Sequence, residues 1–207
     1  MTKNNEQVIL LIDGVVGSGK SSLATKLSKT LNLKMYEELA NNDTLALLDV
    51  FYQDQKRWSF TLQVHFLNER FKMIKEIHKN NGGILDRSIF GDRIFAELLH
   101  ENGKMSGEEF RTYNTLLDSM LEHTQPPKLL VFIDCPVDLA IERIKKRNRQ
   151  MELQVERSYW VKLNEKYKIW YENYNISAKI ILDANNFECS NDKDIQKITT
   201  LIKQTLP

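Results

Sequence analysis

Val8-Ile9-Leu10-Leu11-Ile12-Asp13-Gly14-Val15-Val16-Gly17-Ser18-Gly19-Lys20-Ser21 is the stretch on which the reading of this 207-residue chain turns. From Gly14 it fits G-x-x-x-x-G-K-[ST], and the apolar run before it has the length of a buried strand. Ser22, Leu23, Ala24, Leu27 and Leu31 follow at helical spacing. Strand, glycine loop and helix is the context in which this pattern cradles a polyphosphate. Gly14, Gly17 and Gly19 let backbone N–H groups crowd around the anion, with Ser18 and Ser22 within the same cradle. The helix N-terminus adds its positive end, Lys20 a mobile cation and Ser21 a hydroxyl ligand for Mg²⁺. The chain is therefore expected to hold a nucleoside triphosphate.

Bulk composition narrows the partners. Lys and Arg number 29 against 28 Asp and Glu, so no net field draws the chain to nucleic acid or an anionic membrane. Cys135 and Cys189 lie far apart and fit no metal spacing, which suits reduced thiols in a cytoplasmic protein. No uncharged apolar stretch approaches the roughly 18 residues a membrane span needs, and Met1 to Gln7 are polar. The expectation is one domain over 1–207, with no membrane or nucleic-acid partner.

Strand-like runs alternate with helical ones. Leu33 to Glu37, Ile84 to Asp86, Leu129 to Asp134 and Ile180 to Asp183 read as strands, and each ends in an acid. Between them, Leu45, Leu48 and Phe51 suit a helix within the mixed stretch from Asn41 to Tyr52. Phe60, Val64, Leu67, Phe71, Ile74 and His78 step as the apolar face of another, which Asn80-Asn81-Gly82-Gly83 stops. Helices are also expected near 92–100, over 106–123 with Ser106 and Glu109 as a capping box, and over Val137 to Arg149. Two more are marked by Tyr159 to Tyr174 and by Ile195 to Leu206. This alternation predicts an α/β fold: a five-stranded parallel sheet with helices on both faces and its ligands at the carboxyl ends of the strands.

Several residues there carry chemistry. Glu37, or its neighbour Glu38, is placed to take the proton of an attacking hydroxyl. Asp86, or alternatively Asp134, is a candidate Mg²⁺ acid, and Arg87 a cation for a transferring phosphoryl group. Gln63, Phe66 and Arg70 share one helix face, where an amide can read a nucleobase edge and an aromatic can stack. Arg143, Lys145, Lys146, Arg147 and Arg149 put five cations within seven residues; the three arginines are candidates for a phosphate clamp of guanidinium forks, with a solvated basic helix end and a nucleic-acid patch as the other readings.

Together these segments resemble the deoxynucleoside kinases, most closely the bacterial deoxyadenosine/deoxyguanosine branch, from the glycine loop to about Trp170. The similarity runs through Tyr36-Glu37 with Asn41-Asn42, through Phe51-Tyr52 and Arg57 to Arg70, through Asp86-Arg87-Ser88 to Asp92, and through Arg147-Asn148-Arg149-Gln150-Met151-Glu152. It implies a P-loop kinase fold with an arginine-rich lid at about 143–152. It prefers Glu37 to Glu38 as general base and Asp86 to Asp134 as Mg²⁺ ligand. Arg87 would assist catalysis, Tyr52 and Glu152 would meet the sugar 3′-hydroxyl, and Gln63 would read the base. Arg70 would help position the base and pair with Asp92, Arg147 and Arg149 would close on the phosphates, and Arg143 would lie against the donor base. Asn148 stands where the family pattern has Gly, a change Asn tolerates because it accepts left-handed geometry. The loop after Glu37 is about three residues longer than the pattern, with Asp43 where Pro is common.

The implied activity is transfer of the γ-phosphate of ATP or GTP to the 5′-hydroxyl of a deoxynucleoside in nucleotide salvage. Deoxyadenosine leads, with deoxyguanosine or deoxycytidine as alternatives, and the resemblance also implies a homodimer. One rival is a nucleoside monophosphate kinase of the thymidylate kinase type, which needs extra cations for the acceptor's phosphate. Another is a non-catalytic P-loop switch, disfavoured because Asn164-Glu165-Lys166-Tyr167 breaks the guanine-reading N-K-x-D pattern.

Overall fold

A computed structural model of the protein describes residues 8–37, 42–80 and 82–206. Met1 to Gln7, Glu38, Asn41 and Asn81, all used above, lie outside the described residues. In chain order the first elements are β1 (Val8–Gly14), α1 (Lys20–Leu31), β2 (Met35–Tyr36), α2 (Asn42–Gln53), α3 (Gln55–Lys79) and β3 (Gly82–Asp86). A 3₁₀ turn (Ile89–Gly91), α4 (Arg93–Glu101), α5 (Gly107–Leu121) and β4 (Leu129–Asp134) follow. The chain closes with α6 (Val137–Arg147), α7 (Gln150–Leu153), α8 (Arg157–Asn173), β5 (Ala178–Asp183) and α9 (Asp192–Thr205).

The five strands form one parallel sheet in the order β2-β3-β1-β4-β5. Consecutive side chains of a strand point to opposite faces, and Ile9 to Asp13 are all buried. Both faces of β1 are therefore covered by helices, as a parallel sheet requires. From β1 the chain winds first toward β2 and β3, then across to β4 and β5. That reversal opens a crevice at the carboxyl ends of the central strands, where such sheets hold ligands.

Several boundaries differ from the sequence reading. β1 continues through Asp13, so all five strands finish in or beside an acid. The glycines read as a helix stop belong to β3. A Cβ on Gly83 would stand 2.6 Å from the Lys34 carbonyl oxygen, so only glycine lets β2 approach so closely. α3 begins at Gln55, five residues earlier than the apolar pattern, because the Asp54 carboxylate caps it by accepting from Arg57 N at 3.0 Å.

The face that α3 buries also differs. Phe60, Val64, Phe71 and His78 are only half-buried, whereas Ser59, Leu62, Gln63, Phe66, Leu67, Arg70, Ile74 and Ile77 are buried. The expected helix over Val137 to Arg149 stops at Arg147, where Asn148 turns left-handed at φ 56°, ψ 38°. The capping box is complete: Ser106 Oγ accepts from Glu109 N and Ser106 N donates to the Glu109 carboxylate at 2.8 Å.

Candidate active site

The glycine loop joins β1 to α1. A Cβ on Gly17 would lie 2.4 Å from the Ala140 carbonyl oxygen, so the loop packs against α6 only as glycine. Gly14 sits at the foot of the loop, where its N–H donates to Asp13 Oδ1 at 2.7 Å. Lys20 is buried at the start of α1 with its ammonium donating to the Val15 carbonyl at 2.9 Å. Ser18 Oγ is buried without a hydrogen-bond partner among the described residues. A buried hydroxyl without a protein partner, just ahead of the first turn of α1, suits an anionic oxygen.

Two cavities meet at this loop. One encloses about 240 Å³. Its walls bring together Lys20, Ser21, Glu37, Asp86 and Arg87 with Tyr52, Gln63, Phe66, Arg70 and Glu152. The second is a groove along Gly17, Ser18, Gly19, Lys20, Ser21 and Ser22, walled by Arg143, Arg147 and Arg149. Lys20, Ser21, Arg147 and Arg149 line both, so the two cavities share a wall.

The cavity is partly charged and partly apolar. Glu37, just beyond β2, is exposed. Asp86 ends β3, and its carboxylate accepts from Ser21 Oγ. Asp134 ends β4, faces Lys168 at 3.4 Å and lines neither cavity. On α3, Gln63 and Phe66 are buried, and Arg70 lies over the Phe66 ring at 5.0 Å while forming an ion pair with Asp92. Asp92 is behind Arg70 and does not itself line the cavity.

Glu152 forms ion pairs with Arg147 and, at 3.7 Å, with Arg149. Arg143 instead donates to the Ser18 carbonyl at 2.9 Å. Burial raises the Tyr52 hydroxyl far above an ordinary tyrosine, with Tyr159 and the Glu152 carboxylate adding to the effect. Burial pushes Tyr159 up to about 12. Both phenols are therefore protonated donors at any working pH.

A polyphosphate cradle opening onto a cavity that pairs an amide and an aromatic with acids and cations is the layout of a nucleoside kinase, and comparison with known proteins agrees. The deoxynucleoside kinase family model matches residues 10–207. The chain belongs to the deoxynucleoside kinase family. It is 37% identical to a deoxyadenosine/deoxycytidine kinase of Bacillus subtilis, over 90% of this chain and 87% of that one. With a deoxyguanosine kinase of Lactobacillus acidophilus the identity is 38%, covering 87% and 82%. A deoxyadenosine kinase from M. mycoides, solved with bound dCTP, superposes with a TM-score of 0.83 at 26% identity, covering 95% of this chain and 100% of that one.

In this kinase the Ser21 hydroxyl and Asp86 carboxylate form an oxygen donor pair of the kind Mg²⁺ takes, since that ion uses one or two carboxylates and fills its remaining positions with phosphate and water. Among the described residues no cluster of three or more His, Cys, Asp or Glu offers a denser site. The sequence reading missed the apolar walls Leu48, Phe51, Leu62, Phe95 and Leu99, and the Phe187 to Ser190 side of the groove. Those apolar side chains carry no chemical signature, and only tertiary packing brings them to the site. No helix among the described residues is long and apolar enough to cross a membrane.

Proposed function

We propose that this kinase transfers the γ-phosphate of ATP or GTP to the 5′-hydroxyl of a deoxynucleoside, with deoxyadenosine as preferred acceptor and deoxyguanosine or deoxycytidine as alternatives. The observation carrying the reading is the shared wall. Lys20, Ser21, Arg147 and Arg149 border both the phosphate groove and the cavity that holds Glu37 and Gln63.

Glu37 takes the proton of the 5′-hydroxyl as the oxygen attacks the γ-phosphorus in line. Lys20 and Arg87 stabilise charge spreading over the transferring oxygens, and Arg147 and Arg149 close over the donor as parts of a lid spanning about 143–152. Ser21 and Asp86 would hold Mg²⁺, which when bound neutralises charge across the donor's phosphates. Gly14, Gly17, Ser18, Gly19 and Ser22 shape the cradle, and Arg143 lies beside the donor base.

Tyr52 donates to the sugar 3′-hydroxyl and Glu152 accepts from it. Gln63 presents an amide donor and acceptor side by side, which matches a base carrying an exocyclic amine next to a ring nitrogen. Phe66 packs against the base, and Asp92 acts through Arg70. The named substrates of the Bacillus and Lactobacillus relatives, adenine, cytosine and guanine deoxynucleosides, support that preference. By family resemblance the whole chain works as one domain in a cytoplasmic homodimer engaged in nucleotide salvage.

Steady-state turnover with each of the four deoxynucleosides, using ATP and then GTP, tests the proposal. Deoxyadenosine should give the highest kcat/KM. Thymidine as best acceptor would overturn the base assignment, and turnover only with deoxynucleoside monophosphates would restore the thymidylate kinase reading.

A further inference from the structure

Arg87 is held by residues that the reaction scheme does not use. Its backbone is left-handed at φ 68°, a conformation that strains any residue bearing a Cβ, and its N–H donates to the Ile12 carbonyl at 3.0 Å. Its buried guanidinium donates to Tyr167 Oη and lies 3.7 Å from Asp13 Oδ1. The Phe95 ring lies 5.0 Å from the guanidinium carbon.

Asp13 and Tyr167 come from different elements. Asp13, at the end of β1, is 1% exposed, and the oxygen facing Arg87 also accepts the Gly14 N–H at 2.7 Å. Tyr167, on α8, is 1% exposed. One helical turn on, Trp170 Nε1 donates to the Phe90 carbonyl at 3.0 Å, which fixes the turn that follows Arg87. A Cβ at Gly91 would come 3.0 Å from Asp13 Oδ2, so the chain after Arg87 passes close beside the carboxylate. Neither Asp13 nor Tyr167 lines the substrate cavity or the phosphate groove.

We propose that Asp13 and Tyr167 are positioning residues for Arg87, aiming its guanidinium into the cavity and tying it through Gly14 to the phosphate loop. Transition-state charge is stabilised by groups fixed before the reaction begins, and misplacement by about 1 Å costs on the order of 100-fold in rate. A long arginine side chain meets that demand only if neighbours hold it. Burial pushes the Asp13 carboxyl above the ordinary range against the pull of Arg87 and then Lys20. An acid is thus kept in a setting that disfavours its charge, where it supplies one acceptor to both the loop and the guanidinium.

The proposal rests on Arg87 meeting the transferring phosphoryl group, so the test separates the two. Tyr167→Phe keeps the packed ring and deletes only the hydroxyl, while Asp13→Asn keeps the shape and deletes the charge. Each is expected to lower kcat roughly 10- to 100-fold with KM for both substrates within about twofold. Arg87→Ala leaves the left-handed backbone no more strained, because both residues carry a Cβ. In that background, adding Tyr167→Phe should cost less than about threefold, since there is nothing left to aim. Wild-type kcat in Tyr167→Phe, or losses that multiply fully in the double variant, would overturn the positioning role. Wild-type turnover in Arg87→Ala alone would instead remove the role of Arg87, in a protein whose Asp13 and Tyr167 are intact. Should Asp13→Asn fail to fold, Tyr167→Phe decides.

Discussion

Removing one buried carboxylate, in Asp92→Ala, should destabilise the protein far more than deleting an exposed one. Arg70 and Asp92 form an ion pair with side-chain exposures of 4% and 1%. Breaking such a pair from one side leaves a charge in a poorly solvated place, at a cost of about 3–5 kcal/mol. For a chain of this size each kcal/mol moves the melting temperature by about 2–4 °C, so the fall should be roughly 6–20 °C. The Asp92 side chain makes no capping hydrogen bond to α4, so the loss is not that of a helix cap.

The exposed pair Arg93–Asp118, at 51% and 60%, is the internal control. Asp118→Ala should cost less than about 1 kcal/mol. Replacing both buried partners, as Arg70→Met with Asp92→Leu, should recover most of the stability, because apolar side chains of similar volume need no solvation. The same double variant should lose turnover, since Arg70 also lines the cavity. Calorimetric melting of the four proteins without nucleotide measures all of this. An Asp92→Ala melting point within about 2 °C of the parent, or a double variant no more stable than that single, would refute the reasoning.

Other perturbations read separate parts of the structure. Glu37→Gln should lower kcat by about 100- to 10,000-fold, the range of a lost general base. Because Glu37 is exposed, that variant should melt within about 0.5 kcal/mol of the parent, and near-normal turnover would displace Glu37 as the base. Asn148→Val should cost about 1–2 kcal/mol and raise KM for the triphosphate, whereas Asn148→Gly should be nearly neutral, because the position is left-handed. Tyr113 and Tyr174 are buried, and burial pushes each hydroxyl up to about 12. Above about pH 10 the unfolded chain releases these two protons while the folded chain keeps them. Stability should therefore fall as pH rises through that window, by roughly 1.4 kcal/mol per pH unit for each phenol, which melting curves across the window will show.

What the sequence made legible was local. Strand, glycine loop and helix around Gly14 to Ser21 are contiguous, and their spacing carries the chemistry with it. The capping box at Ser106 was legible for the same reason. α3 shows where such reading fails. Of its expected apolar stripe Leu67 and Ile74 are buried but Phe60, Val64 and Phe71 only half-buried, and the neighbouring side bearing Gln63, Phe66 and Arg70 faces inward as well. Apolar periodicity finds a buried face only where burial means contact with hydrocarbon, and a ligand cavity with its ion pair buries polar groups as well. Asp13 was missed because the strand was ended at Ile12, two residues early. Tyr167 was read only as part of an apolar helix face, and its hydroxyl meets Arg87 through a contact 80 residues away in sequence.

Asp86 and Asp134 could not be ranked from residue type and spacing alone, because each ends an apolar strand and each strand proves to be a neighbour of β1. Register separates them. On one side Ile12 pairs with Asp86; on the other Gly14 pairs with Ile133, so Asp134 lies one residue beyond the end of β1. Measured along β1, Asp134 therefore projects about three residues further than Asp86, roughly 10 Å at the rise of a parallel strand. Asp86 stops level with Ile12, two residues before Gly14, where the Ser21 hydroxyl reaches it, while Asp134 lies beyond the end of β1 and pairs with Lys168. Spacing within one strand carries no information about its offset from another. That offset is fixed by hydrogen bonds between segments dozens of residues apart, and it decides which acid stands beside the phosphate loop.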